Sequence, residues 1–426
     1  MFKALLTAGV FAGLAATASA ESLLLTGGKV FDTDRGTFLE GQDILVTDGR
    51  IAAIGQTGTL GSTDIPRRDM EGAFLLPGLT DSHVHLASRA DLHGYRRLAI
   101  STPRSAISGV ANAERTLRAG FTTVRNLGGP GYTDVDLKDA IEMGEIVGPR
   151  IIPAGFSIGI TGGHCDNNLL PYERAETAGG VADGPWAVRA KVRENKKFGA
   201  EVIKFCGTGG VLSKGTTIGA QQFTLEEMSA IVDEAHQLGL KVAVHAHGAA
   251  GIATALQAGV DSIEHSSLIT DESLAVAVRQ GTFLSMDIYV SDFILSEGEA
   301  AGILPESLEK EREVGQAQRE RFQAAVRAGA RIAYGTDAGV YTHGLNARQF
   351  AYMVQWGMTP ADAIRAATIG NAELFGLKDE IGSLTPGKRA DIIAVTADPL
   401  ANIRVLEEVA FVMKDGEVFF DEITED

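Results

Sequence analysis

The strongest constraint on how this chain folds is a rhythm in its middle. Eight apolar, β-rich runs alternate there with amphipathic helical stretches. The runs fall at residues 75–85, 121–127, 150–157, 202–207, 241–247, 262–266, 282–289 and 332–337. Runs such as Val242-Ala243-Val244 are apolar without alternation, as expected of strands buried on both faces of a parallel sheet. The intervening segments carry helix-start signals. Thr224-Leu225-Glu226-Glu227 reads as a capping box opening a helix over 225–238. Thr359-Pro360-Ala361-Asp362 reads as a capped start with proline at the first helical position. Eight strand–helix units over about 300 residues predict an α/β fold, a (β/α)8 TIM barrel.

The two ends have a different texture. From residue 22 to 76, short β-rich segments are punctuated by Gly27-Gly28, Asp34-Arg35-Gly36 and Asp48-Gly49. The same texture returns after residue 381, with Asp415-Gly416 as its last turn. The expected organisation is a small β-sandwich domain built from both chain termini (21–76 plus 378–426) around a barrel at 77–377. Residues 1–20 read as a signal peptide. Met1-Phe2-Lys3 gives a basic start, residues 4–16 are largely apolar, and Ala18-Ser19-Ala20 supplies small residues for cleavage. The expectation is export, to a periplasm or outside the cell, with no membrane attachment once the leader is removed.

Thirty-eight basic and 55 acidic residues give a formal charge of −17, which disfavours nucleic acid and anionic lipid as partners. Cys165 and Cys206 are the only cysteines, fewer than a disulfide-reliant exported protein of this size normally carries; free thiols are expected, with a single bridge between the two as the alternative. The long stretch 158–187 and an irregular one at 291–305 follow the third and seventh strands, where barrel loops cover the catalytic face.

Six polar residues stand where an apolar strand ends: His83, His85, Lys204, His245, His265 and Asp337. Side chains alternate along a strand, so His83 and His85 point the same way, into the mouth of the barrel. Imidazoles with carboxylates suit a zinc-like ion, and a hydrolase keeps one coordination position for water. Lys204 is the odd member, because an ammonium beside cations is repelled. Carboxylated by carbon dioxide it becomes an anionic carbamate able to bridge two cations. A Schiff-base lysine in a metal-free barrel is the rival, and it leaves four strand-end histidines without a role.

These stretches resemble the amidohydrolase superfamily. The matching segments are Pro77-Gly78-Leu79-Thr80-Asp81-Ser82-His83-Val84-His85, Lys204, Val244-His245-Ala246-His247-Gly248, Ile263-Glu264-His265 and Gly335-Thr336-Asp337-Ala338-Gly339. Gly382-Ser383-Leu384-Thr385-Pro386-Gly387-Lys388-Arg389-Ala390-Asp391 matches near the C-terminus. Within the superfamily the chain is most similar to the binuclear imidazolonepropionase-like peptidases and amidases. That group includes Xaa-Pro and Xaa-Arg/Lys dipeptidases and ochratoxin-degrading amidohydrolases. The resemblance implies two divalent ions, zinc foremost, with His83, His85 and Asp337 on one and His245 and His265 on the other. Carboxylated Lys204 (N6-carboxylysine) and a hydroxide would bridge them, the hydroxide as nucleophile and Asp337 as general acid–base. The implied reaction is cleavage of the amide bond of a dipeptide or N-acyl amino acid, ochratoxin A-type amides included. Related enzymes often form homo-oligomers. A lactonase, cyclic-amide hydrolase or phosphotriesterase on the same site is the alternative reaction, and a periplasmic binding protein without catalysis is the alternative class.

Around these residues stand pocket candidates with two readings each. His247 contacts substrate or is structural, and His164 lines the pocket or is an ordinary loop histidine. His343 lies in a glycine-flanked loop just past Asp337 and is equally open. Arg125 and Tyr132 bind a substrate carboxylate or line the pocket, or Arg125 is a packed barrel residue. Ser88 lines the rim or caps a helix. His93 and His236 are expected at the surface.

Overall fold

The computed structural model describes residues 22–174 and 176–423, so the leader expected at 1–20 lies outside the described residues. Eight parallel strands carry the middle of the chain: β1 Leu79–Val84, β2 Phe121–Asn126, β3 Arg150–Pro153, β4 Val202–Cys206, β5 Lys241–Ala246, β6 Ser262–His265, β7 Phe283–Ser285 and β8 Arg331–Ala333. They form a three-stranded sheet ordered β3-β2-β1 and a five-stranded sheet ordered β4-β5-β6-β7-β8. Every residue of β1 and β2 is buried, which is why their sequences show no polar face.

Main-chain hydrogen bonds join the two sheets at both edges. Ser82 N donates to Tyr334 O at 2.7 Å and Asp337 N to His83 O at 2.8 Å, linking β1 to the chain leaving β8. On the other side, Ile158 N donates to Lys204 O at 2.8 Å and Cys206 N to Ile158 O at 2.9 Å.

The run expected at 75–85 is two strands in different sheets. Phe74–Pro77 pairs antiparallel with Ile392–Val395 and parallel with Lys29–Asp32, whereas Leu79–Val84 pairs with β2. Gly78 is the pivot, because a Cβ there would lie 2.2 Å from Thr122 Oγ1. A hydropathy pattern cannot show such a break, since both strands are buried.

Segments from the two ends share a six-stranded sheet. Its order is Glu417–Asp421, Phe411–Lys414, Ile392–Val395, Phe74–Pro77, Lys29–Asp32 and Thr37–Leu39. A four-stranded sheet holds Arg50–Gln56, Gln42–Thr47, Ser22–Thr26 and Arg67–Asp69. Leu25, Ile44 and Val46 of this sheet share one apolar cluster with Ile392, Phe411 and Met413 of the other. The Asp48-Gly49 turn has φ of 50° and 75°, the left-handed conformation that a two-residue hairpin requires.

The helix signals appear where expected. Thr224 and Glu227 form a reciprocal capping box on Leu225–Gln237, and Thr359 caps Pro360–Arg365. The stretch at 291–305 differs from expectation. It contains helices Val290–Ser296 and Gly298–Ala301, after which Pro305 opens a long helix, Pro305–Arg327. Val290, Phe293 and Ile294 bury one helical face there, a spacing too short to stand out in the sequence.

Candidate metal centre

The strand-end residues converge. Asp337 Oδ1 lies 3.3 Å from His85 Nε2 and 3.6 Å from His83 Nε2. The His265 ring centroid lies 5.1 Å from that of His83 and 4.6 Å from that of His245. His247 stacks on His265 at 4.7 Å with an interplanar angle of 10°. Two triplets bring one donor atom from each member within 4.8 Å of the others. One is His83, His265 and Asp337; the other is His245, His247 and His265.

Alternation alone does not produce this arrangement. Glu264 and His265 are neighbours and should face opposite ways, yet Glu264 contacts His83 while His265 joins the cluster. His265 has φ +68° and Asp337 φ +57°, so the backbone turns at each strand end and aims the side chain inward. Such conformations cost of order 1–3 kcal/mol in a non-glycine residue and persist where surrounding contacts over-determine them. Here Ser266 N donates to Ala246 O at 3.0 Å and Asp337 N to His83 O at 2.8 Å.

Behind the cluster, partners orient the rings. His265 Nδ1 lies 2.9 Å from Asp287 Oδ1, and Gln318 Nε2 donates to that same oxygen at 2.8 Å. His85 Nδ1 meets Gly128 O at 3.2 Å, and His247 Nδ1 meets Ser267 Oγ at 2.8 Å. His83 Nδ1 lies 3.2 Å from Glu264 Oε2, in contact but without hydrogen-bond geometry. Fixing one ring nitrogen leaves the other to face the cluster. Asp81 accepts from Thr336 Oγ1 at 2.6 Å, Asn346 Nδ2 at 2.8 Å and His83 N at 3.1 Å, tying the His83 strand to the segment that carries Asp337.

The donor set fits divalent cations. Burial lowers His83 to about 4 and drives His245 well below the ordinary histidine value, so both are neutral and able to ligate. Burial opposes ionisation of Asp337, but His83 and His85 outweigh it and hold the carboxylate well below its usual range. The Asp287 charge likewise overcomes burial and raises His265. His245 Nε2 is buried without a hydrogen-bond partner among the described residues. Lys204 is buried, makes no hydrogen bond or ion pair with any described residue, and is pushed down by burial to about 8. An amine that sheds its proton this readily can react with carbon dioxide.

The pocket candidates divide. His164 lies in the long third loop and stacks on His245 at 4.0 Å, with Nδ1 2.8 Å from Ser213 Oγ. Ser88 is exposed and starts no helix; its N–H donates to His85 O at 2.9 Å. Three others do not serve as proposed. Arg125 is 1% exposed and bonded through all three nitrogens, donating to Glu264 Oε1 at 2.8 Å, Ser82 O at 2.7 Å and Ser262 Oγ at 3.0 Å. Buried and held in this way, it fixes the floor and is out of reach of a substrate carboxylate. Tyr132 turns away, its hydroxyl donating to Asn195 Oδ1 at 3.1 Å and its ring packing on Phe156 and Phe198. His343 is buried between Thr116 Oγ1 and His85 O, each at 3.2 Å, and so supports the His85 backbone from behind.

Of the two histidines expected at the surface, His236 is exposed, but His93 is half-buried with Nε2 2.9 Å from Val340 O. Cys165 and Cys206 are joined as a disulfide with Cα atoms 6.0 Å apart, not free thiols. The third loop folds back along β4 and brings two sequence-distant residues within bonding reach.

Sequence reasoning missed Glu264, Asp287 and Gln318. Asp287 carried a usable signal, a carboxylate just after an apolar run, which is the same pattern that marks Asp337.

The amidohydrolase family model matches residues 74–419. Ochratoxinase of Aspergillus niger is 31% identical over 437 residues, covering 95% of this chain and 88% of its own length. Imidazolonepropionase of Micrococcus luteus is 26% identical over 385 residues, with coverage of 85% and 89%. A solved Xaa-Pro dipeptidase with methionine bound in its active site is similar at a TM-score of 0.89 and 37% identity, covering 94% of this chain and 100% of that one.

Proposed function

Since the chain belongs to the amidohydrolase family and is a hydrolase of amide or peptide C–N bonds, we propose that it is a two-metal enzyme acting on dipeptides or N-acyl amino acids. The observation that carries this reading is the convergence of four imidazoles and Asp337 beside a buried Lys204 that has no hydrogen bond or ion pair among the described residues. His83, His85 and Asp337 would hold one divalent ion and His245 and His265 the other, with Lys204 as a carbamate between them. Zinc suits these nitrogen and oxygen donors. Bound ions lower the pKa of water and polarise the scissile carbonyl.

The chain's own groups supply the rest. Asp337 is ionised and accepts the proton of the attacking water at a carboxylate oxygen. It returns that proton to the leaving nitrogen as the C–N bond breaks. Asp287 holds His265 in place by a hydrogen bond, and Glu264 packs against His83. His164 and His247, each stacked on a proposed ligand, flank the space left for substrate. The likeness to an Xaa-Pro dipeptidase supports a dipeptide substrate, in which the scissile amide stands next to a free carboxylate.

The architecture is read the same way. The hydrogen bonds at both edges support joining the two parallel sheets into one (β/α)8 barrel, and the shared apolar cluster supports a terminal β-sandwich. Export through residues 1–20 is also proposed, and the disulfide suits an oxidising compartment. An intact mass that retains Met1 in the natively expressed protein would sink export.

The deciding experiment is a panel of dipeptides and N-acyl amino acids, each beside its carboxamide twin, given to zinc-loaded protein. Hydrolysis of the free acids supports the reading, and inactivity on every amide refutes it. Lys204→Ala should lose bound metal, and bicarbonate should speed reconstitution of the wild-type apoprotein. Full metal content in that variant would exclude Lys204 as a ligand.

A further inference from the structure

A substrate with a free carboxylate needs a cation near the metal cluster, and most cations on the surrounding segments are engaged. Arg125 is locked into the floor. Lys310 Nζ donates to Ser213 O at 2.6 Å, and Arg96 Nη1 to Ala300 O at 2.6 Å. Arg89 pairs with Asp91 at 2.7 Å, and Arg348 Nη1 donates to the Tyr289 hydroxyl at 3.0 Å. Arg97 differs: its guanidinium makes no hydrogen bond or ion pair with any described residue.

Arg97 sits on the short helical turn Gly94–Ala99, in the segment that follows the His83 and His85 strand. That turn is pinned on two sides of the cluster. His93 Nε2 meets Val340 O, just past Asp337, at 2.9 Å, and His93 N donates to Ala301 O at 2.9 Å. On the other side the Tyr95 hydroxyl accepts from Lys214 Nζ at 2.8 Å, next to Ser213, the residue that holds His164. Gly94 permits the close seat: its φ is +52°, and a Cβ there would lie 2.5 Å from Gly302 O. The turn that carries Arg97 therefore spans from the segment just past Asp337 to the one that holds His164. The Arg97 side chain is exposed, yet surrounding protein desolvates the guanidinium enough to lower its pKa.

We propose that Arg97 is the carboxylate anchor of the substrate pocket, pairing its planar guanidinium with the free carboxylate of a dipeptide or N-acyl amino acid at the metal cluster. The inference rests on the amidase reading above. It assigns to Arg97 the role that sequence alone gave to Arg125. An arginine already paired with an acidic side chain would have to break that pair to take up substrate; Arg97 has none to break. Its rigid fork suits a carboxylate better than a lysine would.

The test compares zinc-loaded wild type, Arg97→Ala and Arg97→Lys on N-acetyl amino acids and their carboxamide twins. Calorimetric binding of L-phenylalanine and L-phenylalaninamide runs alongside. The wild type should prefer the acid. Arg97→Ala should shrink that preference by about 10- to 100-fold, the range for a charge-assisted hydrogen-bonded pair, mainly through KM. Arg97→Lys should recover part of it, and L-phenylalanine should lose affinity in Arg97→Ala by a similar factor while the amide does not. Acid preference persisting in Arg97→Ala, in both rate and calorimetry, overturns the anchor and leaves the amidase reading standing. A wild type that hydrolyses acid and amide equally well overturns the anchor together with the free-carboxylate requirement.

Discussion

Asp337 shows how much one residue carries at this site. Its positive φ aims the carboxylate at His83 and His85, and those imidazoles keep it ionised against the opposing effect of burial. Asp337→Asn preserves shape but removes the proton acceptor. Turnover should fall by about 10²- to 10⁴-fold, the usual contribution of a general acid–base, while metal is partly retained by the other ligands. Steady-state rates beside metal content per chain measure this, and near-wild-type turnover would remove Asp337 from the proton-transfer role. His343 has a quieter role, with a pH signature. Burial lowers it to about 4, so the folded state keeps it neutral while the unfolded chain takes up a proton below about 6.5. A depressed folded pKa means stability that is present above pH 6.5 and lost as pH falls toward 4. His343→Gln should therefore lose less stability than wild type between pH 8 and pH 5, by about 1–2 kcal/mol. Urea unfolding at both pH values decides it; equal pH slopes in the two proteins would show that folding does not shift the His343 pKa.

At the scale of elements, the informative feature is the division of one apolar run at Gly78. Phe74–Pro77 belongs to the six-stranded sheet and Leu79–Val84 to the parallel sheet, so one residue hands the chain from one layer system to another. The close approach of Thr122 leaves no room for a side chain. Gly78→Ala should destabilise by about 1–3 kcal/mol, the common cost of overpacking, and tilt β1 enough to disturb His83 and His85. Chemical denaturation with metal-affinity measurement tests both effects, and an unchanged midpoint would mean that the Thr122 side chain moves freely aside. The capping box at Thr224 was legible because its partners are three residues apart and settle the matter locally. The helices at Val290–Ser296 and Gly298–Ala301 were not legible, because segments of so few turns carry too little periodicity.

For the whole molecule, the long third loop is what distant contacts settle. The Cys165–Cys206 disulfide ties it to β4 two residues from Lys204, and His164 beside it stacks on His245. The bridge closes a sequence separation of 41 residues, and constraining the unfolded chain over such a loop is worth about 2–4 kcal/mol. Cys165→Ser should lose stability of that order, and reductant should bring wild type down to the variant. Equilibrium unfolding with and without a dithiol measures it; a wild type indifferent to reductant would show that the bridge adds nothing. The helix Pro305–Arg327 acts over similar distance, since its Gln318 holds both Asp287 and the His265 carbonyl.

The sequence by itself determined the parallel α/β class and the set of strand-end residues that gather at one site. Burial on two faces leaves runs without alternation, and a polar residue closing such a run has few structural reasons to be there. It also exposed the texture shared by the two ends, because hairpin turns need particular residues at fixed places. Tertiary structure alone decided which cations are free. Arg125 and Arg97 look equally available in one dimension, but Glu264, Ser82 and Ser262 consume the first, and nothing described pairs with the second. It decided the cysteines too, since Cα separation is a property of the folded path. A residue's type sets what it can bond; only the packing of distant segments sets whether those bonds are already taken.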